Sequence, residues 1–170
     1  MDTFSIRFYC EDSDFDTLYE FQCDYDSKTT VYQLSGTSPC IPKEQFRNMI
    51  QKVCKHSRYP FVVADGKDHP IGISVVEPYV RVGKHHTIYI KLWKRTELTE
   101  AVLIRTLKNL FEGKIVKMVI CKVEGCDKEL VEACRKIGMK EVGCIPEYYC
   151  YEGLLYPEYT FVARSDEFDL

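Results

Sequence analysis

Phe61-Val-Val-Ala-Asp-Gly-Lys-Asp-His-Pro-Ile-Gly-Ile-Ser-Val-Val76 is the stretch on which the fold turns. A short apolar run ends in Asp65-Gly66, a strong turn signal, and β-branched residues resume at Ile71 until Pro78 stops them. That is two antiparallel strands. A second turn around Val82-Gly83-Lys84 leads into His85 to Leu92, where Thr87, Tyr89 and Lys91 alternate with Ile88, Ile90 and Leu92. Period-two alternation makes this a third strand of the same meander.

Upstream, a short strand at Ser5 to Tyr9 precedes a helix from Ser13 to Asp26, with Phe15, Leu18, Tyr19 and Gln22 at helical spacing. After a loop from Thr37 to Ile41, Pro42 takes the first helical position. Phe46, Met49, Ile50 and Val53 then mark one buried face of a second helix. Downstream, Glu97 to Glu112 carries Leu103, Leu107, Leu110 and Phe111 on one stripe, with Gly113 placed to stop it. Ile115 to Val123 reads as a strand, Asp127 to Ile137 as a helix capped by Gly138, and Glu141 to Tyr151 and Tyr156 to Ala163 as closing strands. The 22 residues between Leu92 and Ile115 contain a helix and suffice for a crossover between parallel strands. The expected class is α/β, an α+β chain around a mixed sheet, in the order β-α-α-β-β-β-α-β-α-β-β.

Length and composition bound the rest. With 170 residues, 45% apolar and 29% charged, the chain is expected to fold as a single domain over 1–170 with a sizeable core. Interspersed charges with a net of −3 argue against nucleic acid as a partner. No apolar run reaches the length of a membrane span, and the N-terminus lacks the pattern of a signal peptide. The nine cysteines include no C-x-x-C pair. Metal ligation is therefore not expected, and all nine are expected to be reduced thiols in a cytoplasmic protein.

This order resembles the GCN5-related N-acetyltransferase (GNAT) superfamily over nearly all of the chain. Three stretches carry the resemblance: Phe61 to Val76 with Gly72, similar to that family's second and third strands; Thr99-Glu-Ala-Val-Leu103, similar to the opening of its acyl-CoA-binding helix; and Leu130 to Met139, ending Lys-Ile-Gly-Met. The resemblance implies an N-acyltransferase that carries an acyl group from acetyl-CoA, or another acyl-CoA, to an amine acceptor by direct attack. It also implies that pantetheine pairs with the fourth strand, so that the fourth and fifth strands splay apart beyond a shared start. A homodimer is an open expectation.

In that family the pyrophosphate rests on a Q/R-x-x-G-x-G/A loop, where helix N-terminal N–H groups meet the anion. Here Trp93, Thr96 and Leu98 occupy the three motif positions, and Glu97 and Glu100 add negative charge to the first turn. The resemblance maps cofactor contacts onto Leu92, Trp93, Lys94, Arg95, Thr96, Glu97, Leu98 and Thr99, with Lys94 and Arg95 supplying positive charge. The same glutamates also read simply as partners of the helix dipole. The position of the family's acid, a helical tyrosine four residues before the glycine, holds Cys134, which equally suits a core thiol. For the base, His86 at the start of the fourth strand has a suitable unperturbed pKa near 6.5, although a strand-start histidine also reads as solvated. Tyr149, in a tyrosine-dense C-terminal region, is an alternative acid or a packed strand residue. The missing loop motif sustains a second reading, a diverged GNAT-like module that binds a protein or small ligand without catalysis.

Overall fold

The computed structural model describes residues 3–28, 40–56, 59, 61–78, 85–112 and 116–168. The elements run β1 (Phe4–Arg7), α1 (Glu11–Lys28), α2 (Lys43–His56), β2 (Val62–Asp65), β3 (Pro70–Pro78) and β4 (His85–Leu92), then a 3-10 turn (Thr96–Leu98) and α3 (Thr99–Glu112). β5 (Met118–Glu124), α4 (Lys128–Lys136), β6 (Lys140–Tyr151) and β7 (Leu154–Arg164) complete the chain. The expected order of elements holds. The expected turn at 82–84 and the Gly113 stop lie outside the described residues, as does the expected loop apart from Cys40 and Ile41. The second helix starts one residue later than expected, because Pro42 contributes only its carbonyl, which accepts from the Phe46 N–H at 3.0 Å. α4 begins where Asp127 caps it, accepting from Leu130 N–H, and ends at Gly138 with φ of 83°.

The seven strands form one sheet in the order β1-β2-β3-β4-β5-β7-β6. All neighbours are antiparallel except β4 and β5. Side-chain alternation gives the sheet two faces. On one, Ile88, Ile90, Leu92, Val119, Cys121 and Val123 pack with α3 and α4 through Val102, Leu103, Leu107, Leu130 and Cys134. On the other, Phe61, Val62, Ile73 and Val75 pack with α1 and α2 through Phe15, Leu18, Phe21, Phe46 and Ile50. Gly72 lies against the end of β4, where an added Cβ would collide with the Lys91 carbonyl oxygen and the Leu92 side chain. The glycine singled out in the sequence thus seats the last residues of β4.

One correction concerns the cysteines. Cys23 of α1 is bonded to Cys40, 17 residues on, and seven cysteines remain free. A spacing of 17 carries no pairing signal in one dimension. The bridge forms because α1 and the start of α2 pack side by side, as the bond from Tyr19 hydroxyl to the Ile41 carbonyl (3.0 Å) also shows.

A buried ion pair anchors α1 to the sheet. Arg7 of β1 donates to both oxygens of Asp14, at 2.7 and 2.8 Å, and Asp14 is fully buried. Burial alone would raise the Asp14 carboxyl, but bonds from Arg7, the Cys10 N–H and Ser13 outweigh it and hold its pKa below the usual carboxylate range. A depressed pKa stabilises the fold above the unfolded value near 3.9 and loses that contribution as pH falls through the folded value. Replacing Asp14→Ala should therefore cost about 1.5 to 3 kcal/mol at neutral pH, since Arg7 loses this partner but keeps Asp68 at 2.7 Å. Urea denaturation at pH 7 and at pH 3 measures it, and the gap between wild type and variant should narrow at the lower pH.

Candidate active site

Among the described residues the β4–β5 ladder has four pairs, His85↔Met118, His86↔Val119, Thr87↔Ile120 and Ile88↔Cys121. Both strands continue past the last pair, β4 to Leu92 and β5 to Glu124, without pairing with each other. Each stays fully laddered on its other side, β4 to β3 through Gly72↔Leu92 and β5 to β7 through Glu124↔Glu158. The expected splay is therefore present, and the edge of β4 from Tyr89 to Leu92 faces an opening. Beyond it lies a pocket of about 180 Å³, lined among others by Tyr25, Lys91, Trp93, Thr96, Cys126 and Asp127.

Polar side chains converge at this opening on the α1 face. The Tyr25 hydroxyl donates to Glu124 Oε2 at 2.5 Å, and the Cys126 thiol approaches the same oxygen at 3.8 Å. Burial and then Glu124 push the Tyr25 and Tyr149 hydroxyls well above the ordinary phenol value. Burial, with Glu124, pushes the Cys126 thiol up to about 11. All three groups therefore stay protonated at neutral pH. Lys91 donates to Asp127 Oδ2 at 3.0 Å and lies 5.3 Å from the centre of the Tyr25 ring. Burial works against the Lys91 ammonium, but Asp127 and Glu124 outweigh it and raise its pKa.

Of the residues expected to be catalytic, only Tyr149 joins this group. His86 sits in the paired part of β4, and alternation sends it to the face opposite Tyr89 and Lys91. There it is 7% exposed, edge-on to Tyr59, with no partner for Nδ1 among the described residues. Cys134 is fully buried in the α3–α4 core, where Cys121 is hydrogen-bonded to it. Both side chains lie in the interior, apart from the group gathered at the opening. Tyr25, Glu124, Lys91 and Asp127 were not singled out from the sequence, since Tyr25 and Glu124 stand 99 residues apart and Lys91 and Asp127 stand 36 apart.

The segment expected to hold the cofactor divides in two. Leu92 and Trp93 flank the opening. Trp93 stacks on Phe21 at 5.2 Å, and its buried indole N–H has no acceptor among the described residues. An acceptor-bearing extended ligand beside β4 fits this donor. Lys94 extends over the Phe21 ring at 5.1 Å. The helix start, however, is internally satisfied. Leu98 N–H bonds to the Arg95 carbonyl and Thr99 N–H to that of Thr96. Leu98 and Thr99 are buried, and Arg95 takes the left-handed conformation, φ 58°, with Nε on Glu97 Oε1 at 2.5 Å. Arg95, and then the backbone N–H of Glu97 itself, lower the pKa of the Glu97 carboxyl. The unpartnered indole N–H beside the unpaired β4 edge is a donor suited to an amide-bearing ligand such as the arm of an acyl-CoA, whereas at the helix start the Glu97 carboxylate takes its own backbone N–H and Arg95, donors that a pyrophosphate would use.

No family model and no curated protein sequence matches the chain. Solved structures do match in shape. The spermidine N-acetyltransferase of Vibrio cholerae in complex with CoA and spermine superposes with a TM-score of 0.72 at 13% identity, covering 97% of this chain and 96% of that one. A GNAT-family acetyltransferase from Bacillus anthracis gives 0.67 at 16% identity, covering 98% and 99%. A dodecameric form of the Vibrio cholerae enzyme gives 0.72 at 11% identity, covering 96% and 95%. The chain has the GNAT fold.

The placement of His86 makes a testable statement about pH. Burial lowers its pKa below the usual histidine value. The unfolded chain therefore binds the proton more readily, and stability present above about pH 6.5 is lost as pH falls towards the folded value, by at most about 1.4 kcal/mol per pH unit. Denaturant melts between pH 5 and 8 should show this slope in the wild type. His86→Phe, which keeps a ring against Tyr59, should flatten it.

Proposed function

We propose that the chain is an acyl-CoA-dependent N-acyltransferase acting on a primary amine, with acetyl-CoA as the acyl donor. One observation carries this reading: the β4–β5 ladder ends at Ile88↔Cys121 while both strands run on, leaving an unpaired strand edge beside a pocket lined by Tyr25, whose hydroxyl is bonded to the Glu124 carboxylate. The GNAT fold supports it by analogy. Within this reading residues 1–170 act as one domain. For a cytoplasmic setting, the seven free thiols among nine cysteines count in favour and the Cys23–Cys40 bridge counts against.

A bound thioester supplies an activated acyl carbonyl. The remaining work falls to side chains of this chain. Glu124 anchors the ammonium of the acceptor and takes one of its protons, which frees the nitrogen lone pair to attack the acyl carbonyl; the second proton that the nitrogen sheds on becoming an amide replaces the one given to the departing sulfur. Tyr25 holds that carboxylate in place from α1. Tyr149, kept protonated beside Glu124, retains a proton for the departing sulfur. Lys94, together with Arg95 once it leaves Glu97, gives the phosphates of the donor their positive charge. Losing one or two backbone hydrogen bonds to a charged group, about 1.5 to 3 kcal/mol each, makes donor binding weaker by roughly one to four decades than at a glycine loop.

A second reading, a GNAT-like module that binds a protein or small ligand without catalysis, is favoured by the bond between Glu97 and its own backbone N–H. Titration calorimetry with acetyl-CoA separates the two. Saturable binding at tens of micromolar or weaker is expected, with Glu124→Gln binding equally well but transferring the acyl group to amines about 10² to 10⁴ times more slowly. No heat at millimolar acetyl-CoA from correctly folded protein would favour the non-catalytic module.

A further inference from the structure

The side chains that fill the β4–β5 opening include an ion pair that the acyl-transfer reading leaves without a role. Lys91 lies three residues past the last paired residue of β4, and Asp127 lies three past the end of β5. Their contact, Nζ to Oδ2 at 3.0 Å, therefore bridges two strands that have already parted. Both side chains are mostly buried, 15% and 14% exposed. Extending the ladder register would set Lys91 opposite Glu124, yet Lys91 reaches past it to Asp127, with the Tyr25 ring 5.3 Å from Nζ.

Space makes the point sharper. Between the diverging strands, the cavity lined by Tyr89, Lys91, Lys122, Glu124 and Asp127 has a volume of about 10 Å³. That is room for about one water molecule. An extended chain laid along a strand edge needs a strand spacing of about 4.8 Å. In the free protein the opening exists in the backbone but is closed by side chains, and the pair spans it.

Capping does not explain the pair. Asp127 Oδ1 alone caps α4 by accepting from Leu130 N–H at 3.2 Å, which leaves Oδ2 for Lys91. Serine caps a helix about as well as aspartate. The two functions of this carboxylate can therefore be separated.

Resting on the acyltransferase reading, we propose that the Lys91–Asp127 pair is a strap that holds the β4–β5 opening shut in the free protein and parts when the acyl donor enters. The strap ties β4 to the first turn of α4, so its release widens the opening without disturbing the four-pair ladder or the core beneath. It also places a cost on ligand entry that is separate from the self-capped helix start.

Amide hydrogen exchange of the free protein, read by mass spectrometry, and calorimetry with CoA test this on wild type, Asp127→Ser and Lys91→Met. Both variants should exchange about tenfold faster in segments covering Tyr89–Leu92 and Lys122–Asp127, with His85–Ile88 and Met118–Cys121 unchanged. Both should bind CoA about three- to tenfold more tightly than wild type. Unchanged exchange at the opening, or acceleration spread equally through the paired ladder, overturns the strap even where CoA still binds. Weaker CoA binding by both variants also overturns it, since the pair then serves the ligand instead of excluding it. Faster exchange confined to the opening, with no chain binding millimolar CoA, removes the acyl-donor reading and with it the strap's role in admitting the donor.

Discussion

The structure depends on a parting of two strands that are each fully committed elsewhere. β4 keeps seven paired positions with β3, and β5 keeps seven with β7. A buried backbone N–H or carbonyl without a partner is costly, so a sheet normally closes such a gap. Here close backbone approaches hold the two halves apart at their ends. Gly72 admits Leu92 against β3, and Gly125, whose N–H bonds to the Pro157 carbonyl at 2.7 Å, turns the chain at the end of β5. An added Cβ at Gly125 would reach within 2.7 Å of the Pro157 side chain. α3 and α4 then start on either side of the opening, and α1 brings Tyr25 to it.

Electrostatics at the opening follow from that frame. Burial, reinforced by Glu124, keeps the Tyr25 and Tyr149 phenols protonated, and Asp127 with Glu124 keeps Lys91 charged despite its burial. At the helix start the opposite economy holds. Glu97 and Arg95 satisfy each other on the surface, where solvent screens such a pair and a competing anion can displace it. Under the proposed acyl-transfer reading, the weak link for a donor is the phosphate end, and the ordered end is the strand edge. A chain with this fold but without the glycine loop retains the part of the site that the backbone dictates.

Much of the fold was legible because it rests on local periodicity. The β2–β3 turn, the alternation in β4 and the Gly138 cap each depend on neighbours within a few residues. The opening was foreseen only through the resemblance, since nothing local to Ile88 or Cys121 says that pairing stops there. The site was less legible for the same reason. Alternation places His86 on the face opposite Tyr89, but the sequence does not say which face carries the site. Cys134 lies on an inward stripe that reads alike for a core thiol and a site thiol. The Tyr25–Glu124 and Lys91–Asp127 contacts, and the Cys23–Cys40 bridge, join residues that only the packed structure makes neighbours.

The central claim is that the unpaired edge of β4 receives the acyl donor. Amide chemical shifts followed during titration with CoA test it residue by residue. The account predicts that the largest changes fall on Tyr89 to Leu92, Trp93 and the start of α3, with Glu124 to Asp127 following. Changes confined to a distant surface, such as the pocket between Lys108, Lys117 and Phe168, or absent at millimolar CoA, would contradict it.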